Sequence, residues 1–173
     1  MKHKKFFISI IVVLLIAAGG YGYMGGFNQP EIKQVLTSET YIAGKAYHGS
    51  VKSEAFGDLF REVGKLAEEK KISGDPGGIY YNNPENENDS IQAFIGIIVA
   101  DSKVALPAGY SIRVLPAGQK ALQANLKGHF TMTPNKAYPA LFDYAKEQKL
   151  ALQDVFVERF QGEREAEFLV LLK

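Results

Sequence analysis

Cysteine and tryptophan are both absent from the 173-residue chain. Without cysteine there is no disulfide, no thiolate nucleophile, no Cys-ligated zinc and no lipid-modified N-terminal Cys. The redox compartment stays open, because a Cys-free chain is stable in either environment. A surplus of one charge is lacking as well: 20 Lys and Arg stand against 19 Asp and Glu. The overall charge therefore lacks the basic footprint of nucleic-acid binding. Three of those lysines, Lys2, Lys4 and Lys5, lie in the first 24 residues, which hold no acid, so the remainder carries 17 basic against 19 acidic residues and is mildly acidic. No stretch is left over for a DNA-binding helix-turn-helix, and we expect no nucleic-acid partner. What is present, 46% hydrophobic and 23% charged residues, fits one compact domain and excludes a disordered chain.

Residues 6–18 form an unbroken apolar or weakly polar run behind Met1-Lys2-His3-Lys4-Lys5. Continued through Met24 the run has 19 residues, about 28 Å of helix, close to the thickness of the hydrocarbon layer. We expect a signal anchor over residues 1–24, a transmembrane helix that holds the membrane through residues 6–24, with Tyr21, Tyr23 and Phe27 at the interface. The other reading is a cleaved signal peptide with Ala17, Ala18 and Gly19 near the cut, although no A-x-A site stands out. Both export the domain. The lysines ahead of the run keep the N-terminus cytoplasmic and place residues 28–173 outside, in a single-pass cell-membrane protein or, after cleavage, a secreted or periplasmic one. Residues 25–37 read as a juxtamembrane linker and 38–173 as the folded domain.

Within that domain, residues 41–100 and 109–172 read in the same order: strand, helix, strand, strand. The first copy opens on a β-like stretch over 41–48 that ends at Gly49, the second on Gln119 to Leu126, ending at Gly128. In the first helix Phe56, Leu59, Phe60, Val63, Leu66 and Ala67 fall on one face, with Ser53 as N-cap, Lys70 and Lys71 in the last turn and Gly74 beyond. The second carries Tyr138, Leu141, Phe142 and Ala145 at the same spacing, and Pro139 must sit in its first turn or kink it. Strand pairs follow at Gly78 to Asn82 with Ile91 to Val99, and at Asp154 to Phe160 with Ala166 to Leu172. The connection 83–89 of the first pair is polar, contains Pro84 and is the longer, more mobile loop. Neither copy buries its apolar face alone. We expect an α+β domain, a pseudo-twofold tandem βαββ repeat with both helices on one side of an antiparallel sheet.

Nucleotide and metal motifs are wanting. Gly77-Gly78 lacks both Gly-x-Gly-x-x-Gly and a Walker lysine. His48 and His129 adjoin the two repeat glycines without the cysteine or carboxylate partners of a metal site, and no Gly-x-Ser-x-Gly elbow completes a triad. The acidic loop 83–89 lacks the Gly and terminal Glu of a calcium loop. We expect neither metal nor cofactor. Asn88-Asp89-Ser90 matches a glycosylation sequon, relevant only in a eukaryotic secretory pathway.

A carboxylate flanked by Val155, Phe156, Val157 and Phe160 on a strand is drawn partly out of water, so Glu158 needs a partner, a raised pKa or a cationic ligand. Arg159, its neighbour, points to the opposite strand face. Aligning Lys71-Ile72 with Lys149-Leu150 sets Tyr80 at the position of Glu158 in the other copy. Tyr80 then faces Glu158 across the pseudo-twofold, or is a core tyrosine with a satisfied hydroxyl; Tyr81 points the other way.

The order Gly49, helix, Gly78-Ile79-Tyr80-Tyr81-Asn82-Asn83-Pro84, Leu106-Pro107-Ala108-Gly109, Leu115-Pro116-Ala117-Gly118, Gly128-His129-Phe130, helix, Val157-Glu158-Arg159-Phe160 resembles the GyrI-like small-molecule-binding domain, the bacterial effector-binding domain; the SOUL haem-binding proteins are more distant. The resemblance covers nearly all of residues 38–173. It implies a cleft between the repeats that binds an apolar or cationic organic molecule, with Glu158 as the acid at its floor and Tyr80, Phe130 and Phe160 around it. It leaves two other readings open: a hydrolase of reactive electrophiles in which Glu158 activates water, and a protein-interaction module with an unknown protein partner. Phe130 and Phe160 stand where many members carry Tyr, which removes two hydroxyls and weakens the hydrolase reading. Lys120 falls near a position that is often aromatic.

Overall fold

The computed structural model describes residues 2–84, 90–162 and 164–173. Its elements in chain order are α1 (Lys2–Tyr23), β1 (Glu31–Leu36), β2 (Thr40–Gly49), α2 (Glu54–Glu68), β3 (Asp75–Tyr80), β4 (Ile91–Val99), β5 (Ser111–Leu115), β6 (Lys120–Lys127), α3 (Pro134–Glu147), β7 (Leu152–Gln161) and β8 (Glu165–Leu172). The eight strands form one sheet in the order β1-β6-β8-β7-β3-β4-β2-β5, and its neighbours pair antiparallel. This is the expected α+β class.

Local chemistry accounts for the helix boundaries. Ser53 is extended, and its hydroxyl accepts from the Phe56 N–H at 3.1 Å, satisfying a donor that the first turn of α2 leaves unpaired. α2 closes on Glu69, after which Lys70 turns left-handed at φ 53°; Lys149 does the same after α3 at φ 56°. Pro134 opens α3, where a missing N–H costs nothing. Pro139 lies deeper, in the helix interior and on its exposed side.

Strand alternation gives the sheet two apolar faces. One is covered by both helices: Leu59 and Val63 of α2 and Ala137, Tyr138, Leu141 and Ala145 of α3 pack with Ile95, Ile97, Leu122, Phe168 and Val170. The other face buries Ile42, Ile79, Phe94, Ile98, Val157 and Leu171, all from strands. No helix contributes to this cluster, and its side chains cover one another, with the Arg113 guanidinium over the Phe94 ring. Three glycines in register mark a crease: Gly44 pairs with Gly96, and Gly96 with Gly77. A Cβ on Gly96 would stand 2.5 Å from the Gly44 Cα, so only glycine admits this approach of β2 to β4.

Three expectations need correction or bounds. Residues 31–36, read as linker, form the edge strand β1, which pairs with β6 from Glu31 opposite Asn125 to Leu36 opposite Lys120. Its half-exposed side chains lack the apolar alternation that marks a strand in sequence. The transmembrane reading is not supported: among the described residues no helix is long and apolar enough to cross a membrane. The unbroken run of large apolar residues and alanines from Ile10 to Ala18 spans only about 14 Å of helix, and glycines and tyrosines follow it. Most of the 83–89 connection, with Asn88 and Asp89 of the sequon, lies outside the described residues.

Candidate functional site

The sheet joins its two halves at β3 and β7, where Ile79 stands opposite Val157, Gly78 opposite Glu158 and Tyr80 opposite Phe156. Tyr80 and Glu158 each lie one residue beyond the Ile79–Val157 pair, so both point to the helix-covered face. Gly78 shares that face and offers no side chain opposite Glu158. A Cβ there would meet Ile95 Cδ1 at 2.7 Å.

Glu158 is 5% exposed. The Tyr80 hydroxyl donates to its Oε2 at 2.9 Å, and the Tyr138 hydroxyl, from α3, donates to its Oε1 at 2.6 Å. A buried carboxylate thus takes one phenol on each oxygen, a charge-assisted arrangement that offsets its loss of water. Burial, and then the neighbouring Glu158 carboxylate, hold the Tyr80 phenol well above its ordinary pKa. It therefore stays protonated and remains a donor. Arg159 faces the other way and pairs with Asp75, Nη2 to Oδ2 at 2.7 Å, as strand parity requires.

Around the carboxylate runs a chain of rings. Tyr138 lies edge-on to Phe156 and Phe168, Phe168 edge-on to Phe160, and Phe160 edge-on to Phe130 at 6.4 Å. Phe160 is buried while Phe130 is 54% exposed, so the chain leads from beside Glu158 to the surface. Of the four site residues expected from sequence, Glu158 and Tyr80 are in direct contact, and Phe160 and Phe130 continue outward from them. Tyr138 and Gly78 were missed as site residues. The signal for Tyr138 was a hydroxyl on an otherwise apolar helix face, which needs a buried partner.

Tyr81 is half exposed. Lys120 is exposed at the start of β6, opposite Leu36. His129 bonds Thr131 through its ring, and among the described residues no cluster of His, Asp and Glu suits a metal. Two clefts of about 440 Å³ open elsewhere. One is lined by Asn28, Glu31, Lys127, Gln161 and Glu165, the other by His48, Tyr81, Gln92, Phe94 and Arg113. Neither includes Glu158, which is buried.

An antiparallel sheet, two helices on one face and a tyrosine-clamped carboxylate at the central seam define a class of small α+β domain with a buried acidic centre. The GyrI-like small molecule binding domain family matches residues 29–169, and the chain belongs to that family. No curated protein matches it. Among solved structures, an integron cassette protein from the mobile metagenome of Vibrio cholerae superposes with a TM-score of 0.64 at 11% identity, over 84% of this chain and 99% of that one. The EcmrR C-terminal domain gives 0.57 at 16% identity, over 84% and 98%. SAV2435, solved bound to tetraphenylphosphonium, gives 0.55 at 12% identity, over 83% and 94%. At these identities the likeness is one of fold.

Proposed function

We propose that this chain binds a lipophilic organic cation, or an apolar molecule with cationic character, at Glu158. The observation that carries the reading is the buried carboxylate held by two phenols at the β3–β7 seam, backed by rings. A cation entering such a site exchanges water for a carboxylate and aromatic faces. The tetraphenylphosphonium bound to SAV2435 is a cation of this kind. The mirrored strand order on either side of the β3–β7 seam supports reading the domain as two βαββ copies, with the site where they meet.

The proposal extends to location. Ile10, Ile11, Val12, Val13, Leu14, Leu15 and Ile16 of α1 are all exposed, and a helix apolar all round needs an apolar surrounding. We take α1 as a tether that enters the membrane by this apolar surface without spanning it.

The test is titration of the full-length protein with tetraphenylphosphonium and with neutral aromatic dyes, for the wild type and Glu158→Gln. Micromolar binding of the cation that Glu158→Gln loses is the expected result; no binding of any probe overturns it. A hydrolase from Listeria innocua shares the fold at 7% identity with a TM-score of 0.51. Turnover of an electrophilic ester, abolished by Glu158→Gln, would favour hydrolysis over binding.

A further inference from the structure

One side of Glu158 is covered by a single segment, the loop 128–133 and the first turns of α3. Tyr138 of α3 occupies one carboxylate oxygen, and Phe130 of the loop lies over Phe160, two residues along β7. Tyr80 of β3 occupies the other oxygen, and a ligand that enters along the ring chain from Phe130 must displace Phe130 or Tyr138, so the segment that carries them has to shift.

That same segment holds the end of α1. The Lys136 ammonium, in the first turn of α3, donates to the carbonyls of Gly26 and Asn28, each at 2.5 Å, and approaches that of Gly25 at 3.4 Å. An ammonium has three N–H groups, and here three backbone carbonyls more than a hundred residues away receive them. They lie just past the C-terminus of α1, where the helix dipole favours a cation. The His129 N–H donates to the Met24 carbonyl at 3.0 Å. Asn28 Nδ2 donates to the Lys127 carbonyl at 2.6 Å, and the Arg164 guanidinium lies 3.8 Å from the centre of the Tyr23 ring. Gly25, at φ +85°, sits so close to Gly128 that a Cβ would come within 2.5 Å of the Gly128 Cα. Residues 23–28 are therefore seated on the loop and on α3.

We propose that Lys136 is a latch that couples the seating of residues 24–28 to the closure of the Glu158 site. The proposal rests on the ligand-site reading above. With the turn seated, the loop and α3 are held with Phe130 and Tyr138 over the carboxylate; a ligand that opens the site loosens the turn, and a loosened turn eases ligand entry. The coupling must be reciprocal, because both events bias one equilibrium.

The experiment uses full-length protein in detergent micelles: wild type, Lys136→Met, Gly25→Ala, and Glu158→Gln as the blank for partition of the probe into micelles. Two quantities are read, the dissociation constant for tetraphenylphosphonium and the rate of amide hydrogen exchange at residues 24–28 and at His129. Lys136→Met is expected to bind the cation about fivefold more tightly or better and to exchange faster at those amides. Saturating cation is expected to speed the same amides in the wild type. Gly25→Ala disturbs the contact from the side of α1, where its Cβ would meet Gly128 and the Lys127 carbonyl at the end of β6, and decides the matter if Lys136→Met does not fold. Faster exchange in the variants with unchanged affinity, or cation binding to the wild type without faster exchange, overturns the latch and leaves the ligand site standing. Absence of binding in every form overturns the ligand site and the latch with it.

Discussion

The side chains at the seam form a unit whose members cannot be exchanged singly. Glu158 is buried because Phe156 and Phe160 alternate with it on β7, and it is tolerated because Tyr80 and Tyr138 each give it a hydrogen bond. Replacing Tyr138 by Phe keeps the ring and its packing on Phe156 and Phe168 and removes only the donor. We expect a loss of about 1–3 kcal/mol in urea unfolding, the desolvation cost of a buried acceptor deprived of its partner. In the Glu158→Gln background the same change should cost less, and the difference between the two is the coupling of the pair. Equal losses in both backgrounds would show that the phenol contributes packing alone. Half of this unit was readable in the sequence, because a carboxylate between aromatic residues on a strand is a conflict that has to be resolved, and because the spacing brought Tyr80 to the matching place. Tyr138 was read as one more apolar contact of an amphipathic helix. Nothing in a helical period distinguishes a tyrosine that packs from one that also donates.

At the scale of elements, those with strong periodicity were the legible ones. α2 has its apolar face and its Ser53 cap where the residues place them but closes on Glu69, ahead of the Lys70 and Lys71 expected in its last turn, and β4 is a nearly continuous apolar strand because both its faces are buried. β1 escaped notice because an edge strand is half exposed and pairs on one side only, so its backbone rather than its side chains makes it a strand. The glycine crease escaped for a related reason: Gly44, Gly77 and Gly96 are far apart in sequence, and their alignment exists only once the register is set. It makes a definite demand. Gly96→Ala places a methyl against the β2 backbone at Ala43 and Gly44, and either the crease opens or the strands part. We expect it to destabilise the fold by about 1–3 kcal/mol, seen as a lower urea midpoint. Gly64→Ala is its control, since a Cβ at Gly64 meets nothing within 4 Å and alanine favours a helix interior. A Gly96→Ala protein as stable as the wild type would mean that the pairing of β2 with β4 does not depend on the close approach at Gly44 and Gly96.

For the whole molecule, the decisive contrast lies between the domain, which buries its apolar side chains on both faces of the sheet, and α1, which exposes the row from Ile10 to Ile16. By hydrophobic transfer each fully exposed Leu, Ile or Val forgoes about 1.5–3 kcal/mol, so the exposed row from Ile10 to Ile16 favours strongly any apolar phase it can enter. The membrane-tether reading turns this into a measurement. Full-length protein mixed with phospholipid vesicles is expected to float with them on a density gradient and to resist extraction by high salt. A variant with Ile11, Leu14 and Leu15 all changed to Asn should stay at the bottom while the domain keeps its urea midpoint. If the variant floats as the wild type does, α1 is not the tether. If the wild type itself stays down, the helix finds its apolar cover in protein, and sedimentation of the same samples would show the assembly. Because residues 24–28 are fastened to Gly128, His129 and Lys136, a tethered α1 would hold the domain in a set orientation, with Phe130 and the approach to Glu158 beside the point of attachment. A lipophilic cation concentrated at the membrane surface would then meet the site without leaving that surface. Moving the tether to the other terminus should weaken capture of vesicle-bound cation while leaving affinity in solution unchanged.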